Sequence, residues 1–281
     1  MKISAFNVSS FKVDGGAMFG VVPKVLWNRF YPSDENNMVP LDLRSLVVET
    51  DSSIVLIDTG FGDKQSDKFF SHFNLFGGEG LIEGLAKVGY KPADITDVIH
   101  THLHYDHCGG GIAINSMGEY YPVFPNATYH VSKTQWEWAL NPNVREADSF
   151  LEENILPIKE LGLLNLVEKE GMLIDGIEVR FFNGHTRGQI VPLIHLDKGK
   201  VLVYAADLFP TTTHVRLPWN MSYDVEPLVT MGEKEEFLKE ASRKNYIIYY
   251  QHDHFSECTR LVETPKGTRV SEAFSLKSLF K

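Results

Sequence analysis

At 281 residues with 43% hydrophobic side chains the chain can bury a sizeable core, and its formal charge of −10 opposes phosphate backbones, which argues against a nucleic-acid substrate. Charged residues make up 23%, no apolar run approaches the roughly eighteen residues needed to span a bilayer, and Met1-Lys2-Ile3-Ser4-Ala5-Phe6 lacks a signal peptide's apolar stretch. These features predict a cytoplasmic enzyme for small neutral substrates, with no nucleic-acid or membrane partner and with a homodimer allowed; Cys108 and Cys258 are too few for a disulfide framework.

In chain order, the glycine-rich apolar run Gly15 to Pro23, with Trp27 close behind, either begins a first sheet or covers a pocket; in the second case Met18 and Phe19 would line it, with Lys24 the only nearby cation. Leu43–Glu49 and Ser53–Ile57 are β-branched and apolar around Thr50-Asp51-Ser52, so they read as a hairpin that breaks at Asp58-Thr59-Gly60. Glu79–Val88 places Leu81, Ile82, Leu85 and Val88 on one helical face, and Asp97–Ile99 resumes an extended pattern. Beyond it, Thr128–Val131 reads as a strand, Lys133–Leu140 as a helix, and Ser149–Leu161 as a helix despite Pro157. Strands are expected at Ile177–Phe182, Ile190–Leu196, Val201–Ala205 and Tyr246–Tyr250, a charged surface helix at Glu226–Ser242, and a closing hairpin at Cys258–Thr264 and Thr268–Phe274. No repeat or linker divides the chain, so a single domain over residues 1–281 is expected, with two sheets and helices packed outside them.

Thr101-His102-Leu103-His104-Tyr105-Asp106-His107 carries the strongest chemical signal. On extended backbone His102, His104 and Asp106 point to one side at period two, which makes a cluster, whereas a helix would splay them. Imidazole nitrogen with carboxylate oxygen suits zinc, manganese, iron or cobalt; calcium or magnesium would want oxygen alone. The bland alternative is a histidine-rich exposed loop.

The pattern His102-x-His104-x-Asp106-His107 resembles the metal-binding motif of the metallo-β-lactamase superfamily, and further motifs follow in that family's order. Asp58-Thr59-Gly60, Gly184-His185-Thr186-x-Gly188, Ala206-Asp207 and His252-Asp253 extend the likeness over most of Leu43 to Asp253. The resemblance implies an α/β fold, an αββα sandwich of two facing mixed sheets with outer helices, and two divalent transition metals, zinc foremost, at one sheet edge. Carried over by position, His102, His104 and His185 would bind the first metal and Asp106, His107 and His252 the second, with Asp207 bridging. A hydroxide between the metals would attack the substrate, with Asp106 relaying a proton to the leaving group. Asp58 would orient a ligand histidine from behind.

Within the superfamily the chain resembles the group of N-acyl-homoserine lactonases, the quorum-quenching enzymes, and methyl-parathion-hydrolase-like enzymes. Asp207 stands where true β-lactamases typically carry Cys or Ser, and His104 where flavin-linked di-iron relatives have Glu. One departure concerns Asp207-Leu208-Phe209-Pro210, which lacks the tyrosine many lactonases place three residues after the bridging aspartate; Tyr223 is the candidate replacement, and the departure tilts the resemblance toward the methyl-parathion-hydrolase-like arm. His214, on an apparent loop, is a candidate substrate contact, and His254 is the rival to His252 as ligand. His100, His130 and His195 read as core histidines, His72 as solvent-facing and Cys108 as a small buried residue rather than a thiolate ligand. Two other functions stay open: a glyoxalase-type thioesterase, for which Arg260, Lys266 and Arg269 are the nearest basic cluster, and a metal-binding scaffold without catalysis.

Overall fold

A computed structural model describes residues 1–280. Its first sheet holds β1 (Lys2–Asp14), β2 (Met38–Glu49), β3 (Ile54–Ile57), β4 (Asp97–Ile99), β7 (Thr128–Ser132) and β8 (Leu164–Val167) side by side in that order, antiparallel up to β3 and parallel from there. Between β4 and β7 the chain forms a separate hairpin of β5 (Ile112–Ile114) and β6 (Tyr120–Pro122). The second sheet runs in reverse order from β15 (Gly267–Phe274) through β14 (Cys258–Thr264), β13 (Ile247–Tyr249), β12 (Val201–Tyr204), β11 (Gln189–His195) and β10 (Ile177–Phe182) to β9 (Gly171–Ile174), with β12 and β13 its one parallel pair. The helices are α1 (Gly15–Phe19), α2 (Lys24–Trp27), α3 (Asp67–Ser71), α4 (Leu81–Lys87), α5 (Tyr105–Cys108), α6 (Lys133–Leu140), α7 (Glu152–Glu160) and α8 (Pro227–Arg243). Among the described residues none is long and apolar enough to cross a membrane.

Period two along each strand decides which layer a residue joins. Leu46 and Val48 of β2, Val55 and Ile57 of β3, Leu202 and Tyr204 of β12, and Ile247 and Tyr249 of β13 all enter the core between the sheets. Their alternates face outward: Val47 and Leu56 pack with Leu85 of α4 and Ile158 of α7, while Val203 and Ile248 pack with Phe237, Leu238 and Ala241 of α8. The layering is therefore helix, sheet, sheet, helix, as the resemblance implied. Burying a large aliphatic or aromatic side chain contributes about 1.5–3 kcal/mol, so this alternation holds register firmly. A one-residue slip would exchange the two cores.

Beyond the short elements β5, β6, β8, β9, α2 and α3, which were not expected, three departures from the sequence reading bear on the site. The thirteen-residue β1 pairs with β2 along its length, whereas no strand was expected there. The Gly15–Pro23 run does not begin a sheet: Asp14 caps α1 by accepting from the Ala17 N–H at 2.9 Å, and the chain then folds back over the sheet edge. The extended path ends at His104, so Asp106 and His107 sit on the short helix α5 rather than on extended backbone. The tight return after α5 depends on glycine, because a Cβ at Gly109 or Gly110 would strike the backbone of Phe61 or Thr59.

Candidate metal centre and pocket

Four segments converge at one edge of the sandwich. The β4–α5 connection brings His102, His104, Asp106 and His107; the turn before β11 brings His185; the end of β12 brings Asp207; the end of β13 brings His252. The edge is closed by β2, whose Asp42 N–H donates to the His252 carbonyl at 3.1 Å, joining the two sheets beside the ligands.

These side chains form three overlapping groups whose donor atoms lie within 4.8 Å of one another: His102, His104 and His185; His102, His107 and Asp207; Asp106, His107 and His252. The inward nitrogens crowd together, with His104 Nδ1 at 3.0 Å from His102 Nε2 and 3.3 Å from His185 Nε2, and His107 Nε2 at 3.3 Å from His252 Nε2. Asp207 spans the halves: Oδ2 lies 3.3 Å from His185 Nε2, and Oδ1 lies 3.2 Å from His252 Nε2. That same Oδ1 is buried without a hydrogen-bond donor.

Each ring's outer nitrogen has an acceptor within reach. His107 Nδ1 is 3.0 Å from Asp58 Oδ2, His104 Nε2 3.0 Å from Glu146 Oε1, and His185 Nδ1 3.0 Å from Asp224 Oδ1. His252 Nδ1 is 2.8 Å from the Asp42 carbonyl, and His102 Nδ1 is 3.1 Å from Thr101 Oγ1, whose own proton goes to Asp58 at 2.8 Å. An outer nitrogen that donates leaves the inner one as a lone pair. Five lone pairs and two carboxylates aimed at one small volume repel one another unless cations sit between them, so the donor set fits divalent transition metals.

Without a cation the five rings do not share one charge state: the carboxylates around them raise the pKa of His107 and His185, while burial lowers that of His102 and His104. Burial, reinforced by His107 and His104, lowers the His102 pKa well below the usual histidine value. Burial also works to raise the Asp207 pKa, but His252, His107 and His185 outweigh it and hold Asp207 well below the carboxylate range. Burial opposes charge on His107 too, yet Asp106, Asp207 and Asp58 overcome it and hold its pKa well above 6.5. His107 therefore releases a proton when a cation takes its place among the three carboxylates.

Over the cluster lies a cavity of about 280 Å³, with His104, Asp106, His185, Asp207 and His252 on its floor. Phe11, Val13, Met18, Leu41, Phe73 and Met221 form its apolar wall; Tyr105, Arg145, Ser149 and Tyr223 add polar groups. Tyr223 is 46% exposed and faces this cavity.

Two expected substrate contacts lie elsewhere. His214 is buried behind the wall, with Nε2 2.8 Å from the Met18 carbonyl, Nδ1 2.7 Å from Thr211 Oγ1, and its ring stacked on Phe19 at 5.0 Å. Burial lowers its pKa to about 3, so it is a neutral strut that holds the Met18 backbone. Phe19 is fully buried between the rings of His214 and Trp27, and of the expected pair only Met18 reaches the cavity. Lys24 lies over Trp27, so the cation at the cavity is Arg145, which donates to the Ser222 carbonyl across the mouth. His254 bonds Asp42 at 2.8 Å, outside the three donor groups.

The remaining histidines and Cys108 divide by local chemistry. His130 is buried between Asp97 and Asn165, each at 2.8 Å, and His195 is half-buried against Glu178 at 3.0 Å. His100 is fully buried with neither ring nitrogen bonded, His72 is exposed, and Cys108 is a buried thiol whose pKa burial pushes up. Sequence reasoning missed Glu146, Asp224 and Arg145, which lie in loops near prolines and asparagines where no periodicity marks them, and Tyr105, which stands inside the histidine motif itself.

Known proteins share this arrangement. The sequence profile of the Metallo-beta-lactamase superfamily matches residues 42–252. An N-acyl homoserine lactonase of Bacillus cereus is 25% identical over 251 residues, which covers 83% of this chain and 87% of that protein. The crystal structure of a probable metal-dependent hydrolase from Staphylococcus aureus superposes with a TM-score of 0.87 at 29% identity, covering 97% of this chain and 96% of that one. AidC, a dizinc quorum-quenching lactonase solved in complex with a product, has the same fold at a TM-score of 0.75 and 21% identity, covering 97% and 95%. With the profile spanning most of its length and metal-dependent hydrolases among its relatives, the chain belongs to the metallo-beta-lactamase superfamily.

Proposed function

We propose that this protein is a dinuclear metal-dependent hydrolase of small, uncharged esters, with lactones such as N-acyl homoserine lactones first and phosphotriesters second. One observation carries the reading: five imidazoles have their outer nitrogens tied to acceptors and their inner nitrogens converging on a volume that Asp207 enters with an oxygen toward each half. The resident ions, zinc foremost and manganese, iron or cobalt otherwise, would polarise the scissile oxygen and bring the ionisation of water near neutral pH.

The chain's own residues supply the rest. The apolar wall seats an acyl chain and keeps bulk water from the reacting ester. Asp106 Oδ2, 3.6 Å from His107 Nε2 and open to the cavity, takes up a proton and delivers it to the leaving oxygen. Burial, with the charges of Asp14 and Asp106, holds the Tyr223 phenol at about 12, so it stays protonated and donates to the substrate oxygen. A thioesterase reading loses its support because Arg260, Lys266 and Arg269 lie on or between β14 and β15, outside the cavity.

Metal analysis after reloading with zinc or manganese tests the dinuclear centre: close to two ions per chain are expected, and one or none would overturn it. A panel of lactone, phosphotriester and thioester substrates on protein of known metal content tests the substrate class. Turnover confined to thioesters would overturn the ester reading, and no turnover of any substrate would leave a metal-binding scaffold.

A further inference from the structure

A second cleft, sharing no lining residue with the cavity over the metal cluster, adjoins Asp253, the residue after His252. Thr212 stands on its wall and donates its N–H and its hydroxyl to Asp253 Oδ2, each at 2.7 Å. The cleft encloses about 240 Å³, and its polar lining is Arg216, Arg269, Thr212, Thr213 and Ser256, with Phe30 along one side. No acidic side chain lines it.

Both guanidiniums are short of partners. Among the described residues the Arg216 guanidinium makes neither a hydrogen bond nor an ion pair; it lies over Phe30, with Cζ 4.2 Å from the ring centre, and 5.2 Å from that of Trp219. Arg269 has only the carbonyls of Thr268 and Lys266, each at 2.6 Å, and no carboxylate. In a chain with 37 acidic residues against 27 basic ones, two arginines facing one cleft without a carboxylate between them is an uncompensated arrangement. Burial, with the neighbouring charge of Arg269, lowers the pKa of Arg216. The Ser256 hydroxyl, also without a hydrogen bond among the described residues, adds a free donor on the same wall.

We propose that this cleft is a binding site for a phosphate-type oxyanion, separate from the metal centre. A tetrahedral dianion cancels both guanidinium charges and offers oxygens for forked bonds to each, which a monoanion or a neutral molecule cannot do. Phe30, which also lines the cleft, offers an apolar surface that an organic group on the phosphate would touch. The free anion and the phosphoryl group of a larger metabolite share this chemistry, and the two are separable by experiment.

Calorimetric titration of the zinc-loaded protein with inorganic phosphate and with phenyl phosphate, at fixed chloride concentration, tests the proposal. It uses the parent, Arg216→Ala and Arg269→Gln; neither substitution touches a metal ligand, and Arg269 is half-buried on a surface hairpin, so at least that variant is expected to fold. A phosphate-binding event that weakens at least tenfold in the variants is expected, with zinc content unchanged. Tighter binding of phenyl phosphate assigns the site to a phosphorylated metabolite, and equal binding assigns it to the free anion. The absence of any event in the parent, or an event unchanged in both variants and therefore belonging to the metal centre, would overturn the proposal. Because the readout is binding heat rather than turnover, failure here is distinct from failure of the hydrolase reading.

Discussion

Asp58→Asn separates the ligand histidines from the groups that orient them. The Asp58 carboxylate is fully buried and accepts three hydrogen bonds, from the Thr101 N–H at 2.8 Å, the Thr101 hydroxyl at 2.8 Å and His107 Nδ1 at 3.0 Å. The residue has φ of 55°, a left-handed conformation that asparagine tolerates and alanine does not, so Asn is the substitution that isolates chemistry from backbone strain. Asparagine can keep its oxygen on the Thr101 N–H, but its NH₂ then faces His107. In the neutral ring that a cation requires, His107 Nδ1 must become an acceptor, which moves the remaining proton to Nε2, the atom that points at Asp207 and His252. The centre loses one inward lone pair. Removing such an orienting partner costs about 10–100-fold in metal affinity, or about 1.4–2.8 kcal/mol at 1.4 kcal/mol per decade. Stability of the metal-free protein should fall by about 1–3 kcal/mol, the range for one poorly satisfied buried group. Chelator competition measures the first quantity, and urea unfolding of the metal-free form measures the second. If Asp58→Asn binds the same number of ions at the parental affinity, the tautomer argument is wrong.

Lys234 on α8 is buried, with Nζ 2.9 Å from the Trp219 carbonyl and 3.0 Å from Asn220 Oδ1, just before the cavity-lining Met221 to Tyr223 segment. Burial lowers its pKa to about 7 while the unfolded chain holds the proton to higher pH, so its linkage makes stability rise with pH above 7 by up to about 1.4 kcal/mol per unit. Between pH 7 and 9 the parent should gain about 1–3 kcal/mol relative to Lys234→Met in urea unfolding; parallel pH dependences would refute this. For the pocket, Met18→Ala should raise KM for long acyl chains more than for short ones, at about 0.8 kcal/mol per buried methylene lost from contact. Phe19→Ala, by contrast, should lower stability by about 3–5 kcal/mol without altering chain-length preference. Kinetics across an acyl series, paired with melting curves, distinguish the two, and a parental chain-length preference in Met18→Ala would remove it from the site.

Much of this protein is written in patterns that act over a few residues. Alternation at period two in Leu46–Val48, Val55–Ile57, Leu202–Tyr204 and Ile247–Tyr249 determines which side chains face the inter-sheet core and which face the helices, because the pleat leaves no other choice. The crowding of His102, His104, Asp106 and His107 is likewise local, and so was legible before any fold was known. Tertiary structure alone decided the partners of those ligands. Glu146 reaches His104 from 42 residues away and Asp224 reaches His185 from 39, each from a loop where no periodicity marks one acidic residue above its neighbours. The same reason separates Met18 from Phe19 and turns His214 from a substrate contact into a strut: in a five-residue helix adjacent side chains diverge by about 100°, and which of them meets the cavity depends on where β1 docks against β2. Short-range periodicity chooses a residue's layer; only closure of the chain chooses its neighbour.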